Sequence, residues 1–421
     1  MLEKTTNQNK NKTAFKLKDT NGKIINKTYI EFKDDVQNLS TKLIDMGLKD
    51  KRIAIMGKNS YFWAVSYLAV AIVGIVVPID KEASNENVKE FLNVSDAKAI
   101  IADDKYLNAI FGFKSELRNE ISLIDIQNTS KYMNLSDLIS NGKKLIENGD
   151  KEYENIKINP DEMKILLFTS GTTGNSKAVM LSHKNICSNI ISIASIVKVD
   201  NSTRVLSILP LHHTYECTIG YLLVVYGGGT ICYCEGLRYI TKNIQEYKPT
   251  FILCVPLLLE NVYKKVLKTL KSSLPEKYTK DESKIIDNLP FYVKGIVKRK
   301  VKKSLGGKIK TFIVGAAAIK PDLVEAFFKL GIKVLQGYGL TETSPVVAIG
   351  TKENYKVGSI GKTVPSVEAK LVDVDENGMG ELIVKGPSIM IGYYEDEEAT
   401  KNAIKDGWFY TGDLAKIDSE G

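Results

Sequence analysis

The residues best suited to chemistry on a polyphosphate lie in LLFTSGTTGNSKAVMLSH, positions 166–183. An apolar run stops at Phe168, then Thr169, Ser170, Gly171, Thr172, Thr173 and Gly174 follow without a break, and Lys177 closes the stretch. Glycine lets the backbone come close to a ligand, successive N–H groups form an anion-binding concavity, and lysine adds a point charge. The pattern is not a Walker loop, in which lysine directly follows glycine; here Lys177 comes three positions after Gly174. A Gly/Thr-rich turn between two strands would look the same in isolation, so the rest of the chain has to decide.

Three further stretches bear on the choice. VLQGYGLTETSP, 334–345, approaches the G-x-G-x-x-G dinucleotide fingerprint, but Glu342 stands where the last glycine belongs. A carboxylate would repel a pyrophosphate unless a divalent cation lay between them, so Thr341 and Glu342 together suit a Mg²⁺-phosphate site. LPLHHTYE, 209–216, holds two of the chain's three histidines, His212 and His213, at the end of an expected strand. Strand C-terminal ends are where α/β proteins place ligands. Metal binding by the pair is not expected, because neighbours on one backbone seldom converge on one ion and no Cys/His partner flanks them. In FYTGDL, 409–414, Asp413 could accept hydrogen bonds from ribose hydroxyls, or it could simply cap a turn.

The elements that must position these residues read as alternating strands and helices. Short β-rich runs recur at 52–57, 74–79, 97–102, 165–170, 204–210, 229–234, 251–256, 310–315 and 332–339, with helical patterns between them. That alternation predicts α/β architecture with largely parallel sheets. The 421 residues, 43% hydrophobic, exceed what one core holds. We expect two α/β subdomains, 1–160 and 161–350, joined through a polar, weakly periodic connection over 125–160. Gly- and Asn-Gly-punctuated strands after 350 predict a small β subdomain, 351–421, ending in the turn sequence DSEG as if cut.

YFWAVSYLAVAIVGIVVPID, 61–80, is nearly long enough to span a membrane, but Gly74 and Pro78 divide it into an apolar helix, a turn and a buried strand. The five cysteines show no zinc or redox spacing, and the polar N-terminus has no signal-peptide core. A cytoplasmic protein with reduced thiols is expected. The net charge of +8 is concentrated in FYVKGIVKRKVKKSLGGKIK, 291–310, which has eight Lys/Arg and no acid. Val293, Val297, Val301 and Leu305 give this helix a core-facing stripe; peripheral membrane contact is the lesser reading, and nothing interleaves aromatics for nucleic acid.

Taken in order, the four stretches resemble the adenylate-forming superfamily of acyl-CoA synthetases, peptide-synthetase adenylation domains and luciferases. NSYFWAVSYLAVAIVGIVVPID and GELIVKGPSIMIGYY extend the resemblance over nearly the whole chain. It implies activation of a carboxylic acid by ATP and Mg²⁺ to an acyl-adenylate, then transfer to the thiol of CoA or of a carrier protein. By the same resemblance, Thr169 to Gly174 and Lys177 would hold the outer ATP phosphates. Tyr338 would stack on adenine beside Gln336, Gly337 and Gly339, with Gly315, Ala316 and Ala317 as the opposite wall. Thr341 would contact the α-phosphate, Glu342 would bind Mg²⁺, and Asp413 would hold the ribose. His213 would lie beside the attacking carboxylate, with Tyr215, Gly220 and Gly339 around the acyl group. LPLHHTYE and the basic insertion before 310 look most like fatty acyl-CoA synthetases.

Two departures stand out. Ser176-Lys177-Ala178 replaces the family's Pro-Lys-Gly, which removes rigidity and adds a Cβ at a close approach. The family's C-terminal domain, with its hinge and adenylation lysine, is not represented, so impaired turnover is expected of this chain, with a non-catalytic ATP- or acyl-binding module as the rival reading.

Overall fold

In the computed structural model, which describes residues 1–19, 21–127, 131–169, 176–272, 274–280, 285–351 and 356–421, the apolar segment after Ser60 is a central helix, Tyr61–Val73. The Ser60 hydroxyl accepts from the Trp63 N–H at 3.1 Å and caps its start. The helix is apolar almost all round, as a helix between two sheets must be. Trp63, Val65 and Val70 are buried, and Trp63 stacks on Tyr67 with ring centroids 5.4 Å apart. Gly74 ends it, and strand Ile75–Pro78 follows at once. Among the described residues, no helix is long and apolar enough to cross a membrane.

One sheet packs against this helix through eight strands in the order Gly392–Tyr393, Lys177–Ser182, Met163–Thr169, Ile75–Pro78, Arg52–Met56, Ala99–Ala102, Ser122–Asp125 and Met133–Asn134. The second has nine, in the order Lys362–Thr363, Val346–Ile349, Lys333–Gly339, Thr311–Val314, Phe251–Cys254, Arg204–Ser207, Thr230–Tyr233, Thr13–Lys18 and Ile24–Thr28. Both are parallel except toward their edges. A third sheet is small and antiparallel, ordered Glu368–Val372, Gly380–Lys385, Trp408–Ala415 and Ile404–Lys405. This is the expected α/β class with a small C-terminal β unit.

Three cores give the layering. The largest lies between the two large sheets and takes in the central helix, helix Tyr29–Asp45 and helix His183–Ile196. A second covers the outer face of the eight-stranded sheet with helices Asn85–Val94 and Asp104–Phe113. A third covers the outer face of the nine-stranded sheet with helices Ile240–Tyr247, Pro256–Lys271, Phe291–Ser304 and Pro321–Lys329. Val297, Val301 and Leu305 are buried in that third core, so the basic helix does present its valine stripe inward.

The sheets do not follow chain order. The N-terminal hairpin Thr13–Thr28 joins the nine-stranded sheet, with Phe15 opposite Ile231, while Met163–Ser182 belongs to the eight-stranded one. A division by position at 160 and 350 is therefore not the division the sheets make. The expected connection at 125–160 also differs. Residues Leu135–Glu147 form a helix that packs on Tyr29–Asp45 and buries Leu135, Leu138 and Ile139. Its polar residues face water and masked the stripe. Because Leu135 is fully buried, Leu135→Ala should destabilise the protein by about 2–4 kcal/mol in urea unfolding. A change within about 0.5 kcal/mol, as expected of a surface connection, would show that this helix contributes nothing to the core.

Candidate functional site

Strands Met163–Thr169 and Lys177–Ser182 form an antiparallel pair with Thr169 opposite Lys177, and the Thr169 hydroxyl donates to the Lys177 carbonyl at 3.4 Å. The expected phosphate contacts Ser170, Gly171, Thr172, Thr173 and Gly174 lie outside the described residues. The Lys177 ammonium sits 4.7 Å from the ring centroid of Tyr393, which belongs to the edge strand pairing with Lys177–Ser182. The Tyr393 hydroxyl donates to Glu342 Oε1 at 3.0 Å. One ring thus holds a cation on its face and orients a carboxylate with its hydroxyl. Burial, and then the Glu342 carboxylate, push the Tyr393 hydroxyl's pKa up, so it stays a donor. Sequence reading missed Tyr393; its only signal was a place in a strand-like GYY.

A second link crosses from the nine-stranded sheet to the small one. The Tyr338 hydroxyl donates to Asp413 Oδ2 at 2.5 Å, joining two residues expected at the adenosine end of a nucleotide. Burial and the Asp413 carboxylate raise the Tyr338 pKa. Ala316, just beyond Thr311–Val314, holds φ at +66°, a conformation that costs a residue with a Cβ and that clusters at ligand sites. Gly339 has a different constraint: a Cβ there would lie 1.7 Å from the Pro345 carbonyl oxygen. The second glycine of the G-x-G is required by the protein's own backbone, whatever the ligand.

The histidine pair follows strand Arg204–Ser207 in a turn held by Asn59, whose side chain donates to the Leu209 carbonyl at 2.7 Å and accepts from the Leu211 N–H at 3.0 Å. Contrary to the expectation from sequence, the adjacent rings converge. His212 Nε2 is 3.2 Å from His213 Nε2 and 3.5 Å from Asp80 Oδ1. The tight turn folds the two side chains toward each other. Burial, reinforced by His213 and opposed by Asp80, lowers the His212 pKa to about 4, so the imidazole is neutral at pH 7. His213 is also lowered by burial, although part of its ring is open.

These groups border one cavity of about 980 Å³, large for a small-molecule site. Thr169, Lys177, Gly315, Tyr338, Thr341 and Glu342 line its polar part; Ile193, Val197, Val199, Ile219, Leu223 and Phe251 line an apolar arm, with His213 and Tyr215 also on the wall. Ala317, Gln336 and Gly220 are not among the lining residues, and Asp413 reaches the site through Tyr338 and its neighbour Gly412. The Gln336 carbonyl is taken up by the Gly350 N–H at 3.0 Å.

Glu216 was not anticipated. It is fully buried on the cavity wall, at the start of a π-helical stretch, Glu216–Leu222, of the kind often found at functional sites. Neither carboxyl oxygen makes a hydrogen bond of good geometry. Burial pushes its pKa up to about 8, and nearby Ser207 and the Leu209 backbone offset only part of that. Gly220 makes room for it, since a Cβ there would meet Glu216 Oε1 at 2.6 Å.

A family model described as AMP-binding enzyme matches residues 2–394, and the chain belongs to that family. It is 28% identical over 462 residues to the long-chain-fatty-acid–[acyl-carrier-protein] ligase AEE15, chloroplastic, of Arabidopsis thaliana, covering 93% of this chain and 63% of that protein. It is 29% identical over 406 residues to long-chain-fatty-acid–CoA ligase 6 of Rattus norvegicus, covering 88% and 57%. ATP-bound MatB from Rhodopseudomonas palustris shares the fold, with a TM-score of 0.76 at 23% identity over 97% of this chain and 74% of that one. The chain thus spans about three-fifths of the length of the curated relatives it matches.

The Glu216 carboxyl gives a pH prediction with a definite sign. Its folded pKa lies above the unfolded value of 4.5, so the folded state holds the proton more tightly. Stability should fall as pH rises from 4.5 toward 8, by at most about 1.4 kcal/mol per pH unit, and level off above. Glu216→Gln should flatten that fall in urea unfolding across the same window. Identical pH profiles for variant and wild type would mean that Glu216 is charged in the folded protein.

Proposed function

We propose that this chain binds ATP and a carboxylic acid and joins them as an acyl-adenylate, the acid being a fatty acid. The single observation that carries this reading is the convergence of the Lys177–Tyr393–Glu342 and Tyr338–Asp413 linkages on one cavity with an apolar arm. A carboxylate oxygen attacks the α-phosphorus, the bond to the β,γ-phosphates breaks, and pyrophosphate leaves. The carboxylate is already a nucleophile, so the site's task is to align like-charged reactants and neutralise charge. Lys177 faces the outer phosphates, Asp413 takes the ribose, Tyr338 lies against the adenine, and neutral His213 stands beside the attacking carboxylate. The Glu342 carboxylate and Thr341 hydroxyl are hard oxygen donors that fit Mg²⁺, which would supply charge neutralisation at the phosphates.

In the protein's complete reaction the acyl group passes to the thiol of CoA. A carrier-protein thiol is the second reading, favoured by the near-equal similarity to a relative named for that acceptor. Residues 1–421 are proposed to bind both substrates, in a cytoplasmic setting. Pyrophosphate release with a panel of acids separates this from a binding module, which would give none under any acid.

Calorimetry tests the nucleotide assignment. Asp413→Ala should weaken ATP and AMP alike, by roughly 10–100-fold, because both carry the ribose. Lys177→Ala should weaken ATP by at least about tenfold and leave AMP within about threefold, since only ATP carries the outer phosphates. Equal losses for both nucleotides in Lys177→Ala would overturn the placement of Lys177.

A further inference from the structure

Among the described residues, one group of metal-ligating side chains brings its donor atoms together, and only His213 of that group has a part in the proposed reaction. Asp80, His212 and His213 each offer one ligand atom, and these atoms all lie within 4.8 Å of one another. The three come from two sheets. Asp80 stands just beyond strand Ile75–Pro78 of the eight-stranded sheet, and the histidines follow strand Arg204–Ser207 of the nine-stranded one. Asn59 pins the histidine turn at Leu209 and Leu211, and the neighbouring rings meet with centroids 4.1 Å apart. Sequence spacing showed the pair no third partner because that partner, Asp80, lies far earlier in the chain.

The distances suit a coordination polyhedron. Zinc binds imidazole nitrogen and carboxylate oxygen at about 2.0–2.2 Å in a tetrahedron, whose ligand atoms then stand about 3.3 Å apart. Here His212 Nε2 is 3.2 Å from His213 Nε2 and 3.5 Å from Asp80 Oδ1. The second separation is long for a hydrogen bond, so without an ion the carboxylate holds the ring weakly. His212 is enclosed, whereas Asp80 and His213 reach solvent, so the third edge can adjust and an ion has a way in. Contacts behind the ligands orient them, as in other metal centres. The Glu82 N–H donates to Asp80 Oδ1 at 2.9 Å, and Asn59 holds the histidine turn. The adjacent cation Lys81 is paired with Glu82.

We propose that Asp80, His212 and His213 form a site for a divalent transition-metal ion, zinc above all. Two imidazole nitrogens and one carboxylate suit zinc, whereas magnesium and calcium take oxygen ligands. The site is therefore distinct from the Mg²⁺ position proposed at Glu342. Three protein ligands leave the fourth position of the tetrahedron open to water or another small donor. His213 also borders the cavity, so an ion shared with Asp80 would fix its ring and occupy its Nε2. Zinc would thus inhibit at the carboxylate end of the site. That consequence rests on the proposed function; the metal binding itself does not.

Calorimetric titration of the chelator-stripped protein with zinc chloride, with neither ATP nor acid present, tests the proposal. One ion per chain should bind saturably, and about a hundredfold excess of magnesium should not displace it. Asp80→Asn and His212→Gln should each weaken zinc binding by at least about tenfold. The Asp80 side chain is partly exposed, so Asp80→Asn should leave the urea midpoint in place. Should His212→Gln misfold, Asp80→Asn decides alone. Cobalt(II) in place of zinc should give the strong visible absorption of a four-coordinate ion, with no near-ultraviolet thiolate band. Absence of saturable zinc binding by the wild type overturns the proposal, as does wild-type affinity in either folded variant. A thiolate band that disappears on alkylation would place the ion on the cysteines and overturns it equally.

Discussion

One buried amide joins helix His183–Ile196 to the nine-stranded sheet where the site is assembled. Asn189, fully enclosed on helix His183–Ile196, donates to the Val346 carbonyl at 2.7 Å and accepts from the Val346 N–H at 3.3 Å. Its amide therefore acts as a strand would, satisfying both polar groups at the start of Val346–Ile349. One turn earlier, Asn185 donates to the carbonyls of Pro387 and Ile389 at 2.9 and 2.7 Å. The helix begins where strand Lys177–Ser182 of the eight-stranded sheet ends, so two asparagines tie that sheet to the edge of the nine-stranded one and to the segment leading into Tyr393. Loss of the Asn189 amide would strand buried backbone groups at a cost of about 1–3 kcal/mol each.

The site's chemistry follows from that joint. Lys177 comes from the eight-stranded sheet, Glu342 follows the last residue of Lys333–Gly339, and Asp413 comes from the small sheet. No element carries more than part of the polar set. Tyr393 spans the first two through its ring and hydroxyl, and Tyr338 spans the second and third. Both tyrosines keep their protons because burial and a neighbouring carboxylate disfavour the phenolate. Each therefore donates its hydroxyl hydrogen to one carboxylate oxygen and fixes that side chain in place.

What the sequence made legible has a local signature: the alternation of strands and helices, the division of 61–80 by Gly74 and the inward valine stripe of helix Phe291–Ser304 all depend on spacing within a few residues. Contacts between distant segments left no such mark. Asn185 and Asn189 look like ordinary helix residues until the partner backbones are in place, and Tyr393 looks like a strand aromatic. The hairpin Thr13–Thr28 pairs with a strand more than two hundred residues away, which no periodicity announces. Glu216, the last residue of LPLHHTYE, carries no local mark of burial; the π-helical stretch Glu216–Leu222 and the space left at Gly220 place it inside. Helix Leu135–Glu147 was hidden because its apolar stripe is short and its surroundings polar.

The central claim is that residues from separate sheets act as one nucleotide site. A double-mutant cycle on AMP affinity, with Tyr338→Phe, Asp413→Asn and the pair, measures this directly by calorimetry. The hydrogen bond between them is charge-assisted, so the two losses should be non-additive by about 1 kcal/mol or more, the double variant binding little worse than the weaker single one. Strictly additive losses, or no loss in either single variant, would contradict the account.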